Sequence, residues 1–313
     1  MTAEPFPELG PLGLGTWLFG WETPVEEAHR LMRRALDEGI TYFDTANNYG
    51  SGASEEIVGA YLRPMRDRIL IGTKVYAPFG PDPADRGLSA QAVRRAVAGC
   101  LERLGTDYLD VLHLHRPDPT VPAEETAGAL ADLVRAGTVR HIATSTFHGH
   151  QIDALQQALR AEGIAPAGVD QAPYSLLERQ VESAAGDALR EWRMGITAWS
   201  PLGEGLLTGK YADAAAEGRI RRWNAAGEER YQRGFEAAER FGKLASANGW
   251  TLPQLALGWL ARRPLVGSIL IGARTLEQFD TYLDGVATPV DGVDEAVDEI
   301  VGPGQSLLHH YRT

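Results

Sequence analysis

The chain has 313 residues, 44% of them hydrophobic, which is enough to bury a large core as one α/β barrel or two ordinary domains. A formal charge of −12 and a pI near 5.2 oppose the clustered positive surface that nucleic acid or an anionic membrane requires, and favour a small-molecule partner. With Cys100 as the only cysteine, no intrachain disulfide can form; no window reaches the roughly 18 uncharged apolar residues of a membrane span. The N-terminus lacks the basic start and apolar run of a leader, so the expectation is a soluble, unprocessed, cytoplasmic protein.

Short apolar runs alternate with longer amphipathic ones along the whole chain. The pattern predicts a strand at 12–16 and a helix at 24–38, a strand at 41–44 and a helix at 53–62, then a strand at 69–74 and a helix at 89–104. It continues with strand 108–115 and helix 124–136, strand 140–145 and helix 148–162, strand 168–172 and helix 181–193. The last pairs are strand 195–200 with a long helical stretch over 228–262, and strand 267–272 with helix 275–284. Ser89 and Gly105 bracket one helix as start and stop signals, and Thr23 before Pro24 marks another start. Eight strands alternating with helices, with no Pro-, Ser- or Gly-rich linker, predict a single (β/α)₈ TIM barrel spanning residues 1–313. An open doubly wound sheet would carry a Gly-rich phosphate loop after its first strand, but "LGLGTW" runs into aromatic residues and Pro24 instead.

Chemistry in such a barrel sits at the C-terminal ends of the strands. Strand two ends at Asp44 with Tyr49 just beyond it, strand three at Lys74 and strand four at His115. Singly, each has an ordinary explanation. Lys74 is the exception, because an ammonium in the apolar run "ILIGTKV" needs a carboxylate, and Asp44 on the next strand supplies one. A phenol is a poor acid at neutral pH unless a cation stabilises its phenolate. Asp44 is therefore expected to hold Lys74, and Lys74 to lower the pKa of Tyr49, while His115 orients a carbonyl oxygen.

The segments "FDTANNYGSGASEEIVG", "ILIGTKV", "DVLHLHRPDP", "GTVRHIATSTF", "AWSPLGEGLLTGKY" and "SILIGARTLEQ" together resemble the aldo-keto reductase family, over nearly the whole chain and in the family's order. The closest style is the branch that includes bacterial general aldo-keto reductases and potassium-channel beta subunits. The resemblance implies catalytic roles for Asp44, Tyr49, Lys74 and His115, with Tyr49 the acid. It also implies NADPH as cofactor and a small carbonyl compound as substrate. On the same basis Ser145, Thr146 and Gln171 would hold the nicotinamide carboxamide and Trp199 would stack on its ring. Ser200, Leu202, Gly205 and Lys210 would line the pyrophosphate, and Gly272, Arg274 and Gln278 the adenosine end. Thr275 could add a hydroxyl to the 2′-phosphate site, and Arg219, Arg221 and Arg222 are further cations nearby.

The chain departs from the family pattern at Thr146, at Thr281-Tyr282 and in its short segment before the first strand, which implies a reduced hairpin at the barrel floor. Trp17, Phe19, Trp21, Tyr76, Phe79, Phe147 and Trp223 are candidates for an aromatic rim favouring an apolar or aromatic substrate. Two other readings stand beside the reductase. One is a non-catalytic NADPH-binding regulatory subunit. The other is a metal-dependent hydrolase built on the H-x-H pair His113 and His115. The sequence leaves the oligomeric state open.

Overall fold

The computed structural model describes residues 5–80, 82–212, 218–222 and 227–308, apart from the side chains of Pro83, Ala212 and Arg219. Eight parallel strands close into a barrel in chain order: β1 (Leu12–Gly15), β2 (Tyr42–Asp44), β3 (Leu70–Val75), β4 (Leu109–Leu114), β5 (Val139–Ser145), β6 (Val169–Pro173), β7 (Gly195–Trp199) and β8 (Val266–Ile271). The helices outside it include α1 (Val25–Asp37), α2 (Ala53–Leu62), α3 (Ala90–Leu104), α4 (Ala123–Arg135) and α5 (Gly149–Ala161). They continue with α6 (Val181–Ala184), α7 (Gly186–Glu191), α8 (Arg219–Arg222), α9 (Glu229–Ala247), α10 (Leu252–Ala261), α11 (Leu276–Ala287) and α12 (Asp294–Ile300). Each expected strand is present to within a residue or two at its ends.

The helices differ more from expectation. The stretch 228–262 is two helices, because Gly249 takes a left-handed conformation (φ 76°) and Thr251 restarts the chain with a capping box to Gln254. The expected helix over 181–193 is likewise divided into α6 and α7, and neither α8, on a stretch expected as loop, nor α12 has a counterpart in the sequence reading. Ser89 and Gly105 bound α3 as expected, its N-cap hydroxyl accepting from Ala92 N. Thr23 does not cap α1: Pro24 occupies that position without a side-chain bond, and the buried Thr23 hydroxyl has no hydrogen-bond partner among the described residues.

The pleat divides the core in two. Outward residues of the strands pack against the helices, while Tyr42, Val111, Ala143, Val169 and Leu270 fill the barrel interior above Leu9 and Phe6. Among the described residues before β1 no strand forms, and Phe6 and Leu9 plug the floor, consistent with a reduced hairpin. The glycines of "LGLGT" serve this interior. A Cβ on Gly13 would lie 2.6 Å from the Tyr42 ring, and one on Gly72 would lie 2.5 Å from its hydroxyl. The two glycines make room for the Tyr42 ring, which sits on the same face of β2 as Asp44, two residues further on.

Candidate active site

Adjacent strands set the catalytic geometry by register. Gly15, Asp44 and Gly72 are level across β1, β2 and β3, and Lys74 is level with His113 across β3 and β4. Lys74 is 1% exposed, and its Nζ donates to Asp44 Oδ2 at 2.6 Å, Thr45 O at 2.8 Å and Tyr49 OH at 3.1 Å. All three ammonium protons are thus used, which is how a buried cation is tolerated. Asp44 Oδ1 accepts from Gln171 Nε2 at 2.7 Å and from Tyr42 OH at 3.4 Å. His115, just past β4, is fixed by its backbone N–H to Val75 O, and its ring meets Tyr49 edge-on at 6.0 Å. The four expected catalytic residues therefore share one site.

Burial pushes the Tyr49 phenol above its ordinary value, against the opposing pull of Lys74. The expectation that Lys74 would bring it down is met in direction of force but not in outcome, because desolvation is the larger effect. Lys74 is itself raised: its burial penalty is outweighed by Asp44, with Tyr49 adding to the same effect. Burial, reinforced by the charges of Lys74 and Arg116, holds the His115 imidazole well below its ordinary value, so it is neutral at pH 7.

His113 is a buried, inward-facing neighbour of Tyr42. It is fully buried, burial lowers it to about 4, and its Nε2 lies 3.0 Å from Tyr42 OH. Among the described residues no group of three or more His, Cys, Asp or Glu side chains is placed to hold a metal ion.

A cavity of about 700 Å³ runs from Tyr49, His115 and Trp17 across the top of the barrel to Thr281 and Tyr282, within the range of small-molecule sites. All the expected cofactor residues line it: Ser145, Thr146, Gln171, Trp199, Ser200, Leu202, Gly205, Lys210, Gly272, Arg274 and Gln278. Ser145 Oγ donates to Gln171 O at 2.8 Å, and Thr146 takes a left-handed conformation (φ 60°) that brings its hydroxyl beside that of Ser145. Gln171 reaches both ways, since its amide also holds Asp44. Tyr174 is buried against Trp259 and donates to Glu182, so Trp199 is the aromatic ring on this part of the wall. After β7, Ser200, Gly203, Glu204 and Gly205 all have positive φ, a run of tight turns closed on itself by Gly203 N–H donating to Ser200 O, Glu204 N–H to Ser200 Oγ and Gly205 N–H to Leu202 O.

Glu22 was not singled out in the sequence. Its carboxylate takes Arg222 at 2.7 Å and Arg274 at 3.2 Å, joining the β1–α1 connection to the far end of the cavity. No local signal could reveal pairings across 200 and 252 residues. Tyr42 was also missed, although its place two residues before Asp44 was the available clue. The Thr275 hydroxyl caps α11 by accepting from Gln278 N, which leaves its O–H to donate, and Gln278 Oε1 accepts from Arg274 N. Of the loop arginines, Arg222 lines the cavity and Arg221 lies over the Tyr211 ring, while the Arg219 side chain is outside the described residues. Of the aromatic rim, Phe19 and Phe147 are buried core, and Tyr76 and Phe79 pack against it. Trp17 lines the cavity and meets Trp21 edge-on at 5.6 Å, and Trp223 lies outside the described residues.

Asp170, which points away from Gln171 on β6, holds the Ser145–Phe147 turn through Phe147 N at 3.4 Å. Burial raises its carboxyl to about 6 despite that bond and others from Thr144 and Thr146. A group raised on folding stabilises fully below its unfolded value and loses that contribution as pH rises through the folded one. At pH 7 the buried carboxylate is therefore a liability, which by linkage amounts to roughly 3 kcal/mol for a carboxyl at about 6. Asp170→Asn is expected to raise the melting temperature by several degrees at pH 7 and to leave it nearly unchanged at pH 4; calorimetry at both values checks this.

The profile of the Aldo/keto reductase family matches residues 11–300. An uncharacterized oxidoreductase of Bacillus subtilis (strain 168) is 35% identical, the alignment covering 90% of this chain and 88% of that one. A probable voltage-gated potassium channel subunit beta of Oryza sativa subsp. japonica is 34% identical, with coverage of 94% and 93%. The L-glyceraldehyde 3-phosphate reductase of Escherichia coli (strain K12) is 33% identical, with coverage of 96% and 91%. With its closed eight-stranded barrel and a family match over nearly its whole length, this chain belongs to the Aldo/keto reductase family.

Proposed function

We propose that this protein is an NADPH-dependent reductase that converts an aldehyde or ketone to an alcohol, with Tyr49 as the acid. The observation that carries the reading is the Asp44–Lys74–Tyr49 chain of hydrogen bonds, 2.6 and 3.1 Å long, ending in a phenol at one end of a long cavity. The rest of that cavity suits an extended dinucleotide. Trp199 offers a flat face, and Lys210, Arg222 and Arg274 supply cations toward the far end for the phosphates.

When bound, the cofactor supplies a hydride to the carbonyl carbon. Tyr49 gives its proton to the carbonyl oxygen, and the phenolate left behind lies against the Lys74 ammonium. Lys74 therefore acts most strongly on the charge that appears during reaction, while burial keeps the phenol protonated beforehand. The neutral His115 imidazole can donate to the same oxygen and fix its approach. The residues present fit this chemistry without a metal ion.

The test is oxidation of NADPH, followed by its absorbance, with 4-nitrobenzaldehyde in buffer containing a chelator. Turnover supports the reductase. Cofactor binding without turnover of any carbonyl compound favours a regulatory subunit, the second reading that the likeness to potassium-channel beta subunits keeps open.

Arg274 is the residue assigned to the 2′-phosphate, because its guanidinium offers paired donors beside the start of α11. It already lies 3.2 Å from the Glu22 carboxylate, which a phosphate must displace or share, so part of its contribution is offset. Charge-assisted hydrogen bonds contribute about 1.5–3 kcal/mol, and Arg274→Ala is expected to weaken NADPH roughly tenfold, toward the lower end of that range, with little effect on NADH. Fluorescence titration with both cofactors checks it; equal weakening moves the preference to Arg222.

A further inference from the structure

The carbonyl end of the cavity carries a cation that the reduction itself does not use. Arg116 directly follows His115 in the β4–α4 connection, is exposed, and lines the cavity with Tyr49, Asn48 and Trp17. Its charge reaches the reacting groups, drawing both the Tyr49 phenol and the His115 imidazole downward.

The other cations on the cavity wall are engaged. Arg222 and Arg274 share Glu22, Arg230 pairs with Glu228, and Lys210 lies over the Tyr211 ring. Among the described residues Arg116 has no carboxylate, hydroxyl or carbonyl partner. Nor does it belong with the groups assigned to the cofactor phosphates. Those come from the connections after β7 and β8, at least three strands round the barrel from β4. In a chain of net charge −12, this guanidinium is a local positive charge on the cavity wall that also holds Tyr49.

We infer that Arg116 makes this cavity select carbonyl compounds that carry an anionic oxyacid group, a carboxylate or phosphate, a few bonds from the carbonyl. The inference rests on the reductase reading and narrows its substrate class. With the carbonyl oxygen at Tyr49 and His115, an oxyacid group on the same small molecule meets the guanidinium, whose planar fork donates to two oxygens at once. Trp17, which meets Trp21 edge-on, then flanks the short apolar part of the molecule. An exposed ion pair contributes little on its own. Paired donation to a ligand already held at its other end contributes more, and the effect expected is about tenfold.

Two matched pairs test this: 4-carboxybenzaldehyde against 4-nitrobenzaldehyde, and glycolaldehyde phosphate against glycolaldehyde. The quantity read is the ratio of kcat/KM, anionic over neutral, in wild type, Arg116→Gln and Arg116→Lys. The wild-type ratio is expected to exceed one in at least one pair, which identifies carboxylate or phosphate as the preferred group. In Arg116→Gln that ratio falls about tenfold, mainly through KM, and Arg116→Lys recovers part of it. A wild-type ratio below one in both pairs, or a ratio unmoved in Arg116→Gln, overturns the inference while leaving the reductase intact. If none of the aldehydes is turned over, the reductase reading fails and benzoate binding decides the anion site, followed by tryptophan fluorescence. Binding weakened about tenfold in Arg116→Gln upholds an anion site, and equal binding removes it.

Discussion

Tyr49→Phe is expected to lower kcat for carbonyl reduction by a factor of about 10²–10⁴ while leaving the NADPH dissociation constant within about twofold of wild type. The substitution keeps the ring that His115 meets edge-on and that Lys74 approaches at 4.7 Å from its centre, and removes only the hydroxyl. A loss of that size is expected because the phenol that accepts from Lys74 is the group placed to give its proton to the substrate. Phe also leaves one Lys74 proton facing the cavity, where water or substrate can take it, so the fold should survive. Stopped-flow reduction of 4-nitrobenzaldehyde, with cofactor titration on the same sample, measures both quantities. A kcat near wild type would remove Tyr49 from the acid role and shift attention to His115.

The barrel was legible in the sequence because its signals are local. Each strand is a short apolar run, and the glycines and polar residues that separate strands from helices sit where turns require them, as Ser89 and Gly105 do around α3. Where the local signal failed, it failed for a physical reason. The helical period runs unbroken through Gly249, so 228–262 reads as one helix until the left-handed turn and the Thr251 cap are recognised as a stop followed by a start. The α12 helix is short and rich in acid, and its register depends on distant partners, such as Arg179 Nη1 donating to Asp298 Oδ1 at 2.6 Å.

The site was legible to the same extent. Asp44, Tyr49, Lys74 and His115 lie at strand ends, and a lysine inside an apolar strand calls for a partner on the neighbouring strand. What the sequence could not give is the balance of opposing effects at Tyr49. Proximity to Lys74 argues for a lowered phenol, and only the depth of burial reverses the net direction. Glu22 escaped for the opposite reason: nothing near it in the chain resembles the arginines it meets.

Lys74→Met is expected to be nearly inactive and also less stable, and the two losses have separate causes that a double substitution can divide. Removing the ammonium leaves the Tyr49 phenolate without its stabilising charge, so the barrier rises although the acid is still present. It also leaves the carboxylate of Asp44, 2% exposed, held among the described residues only by Gln171 and Tyr42. Breaking one side of a buried ion pair costs about 3–5 kcal/mol, so the melting temperature should fall by several degrees or more. The raised pKa of Lys74 means that its contribution is present at all pH below the ordinary lysine value and is lost only as pH rises through the folded one, so a neutral assay sees all of it. Lys74→Met combined with Asp44→Asn removes both charges and retains an amide able to hydrogen-bond, so most of the stability should return. Activity should not return, because the phenolate still lacks its cation. Thermal denaturation and turnover measured on the two variants together decide the matter: a double variant that regains activity along with stability would show that Lys74 serves the fold and not the proton transfer.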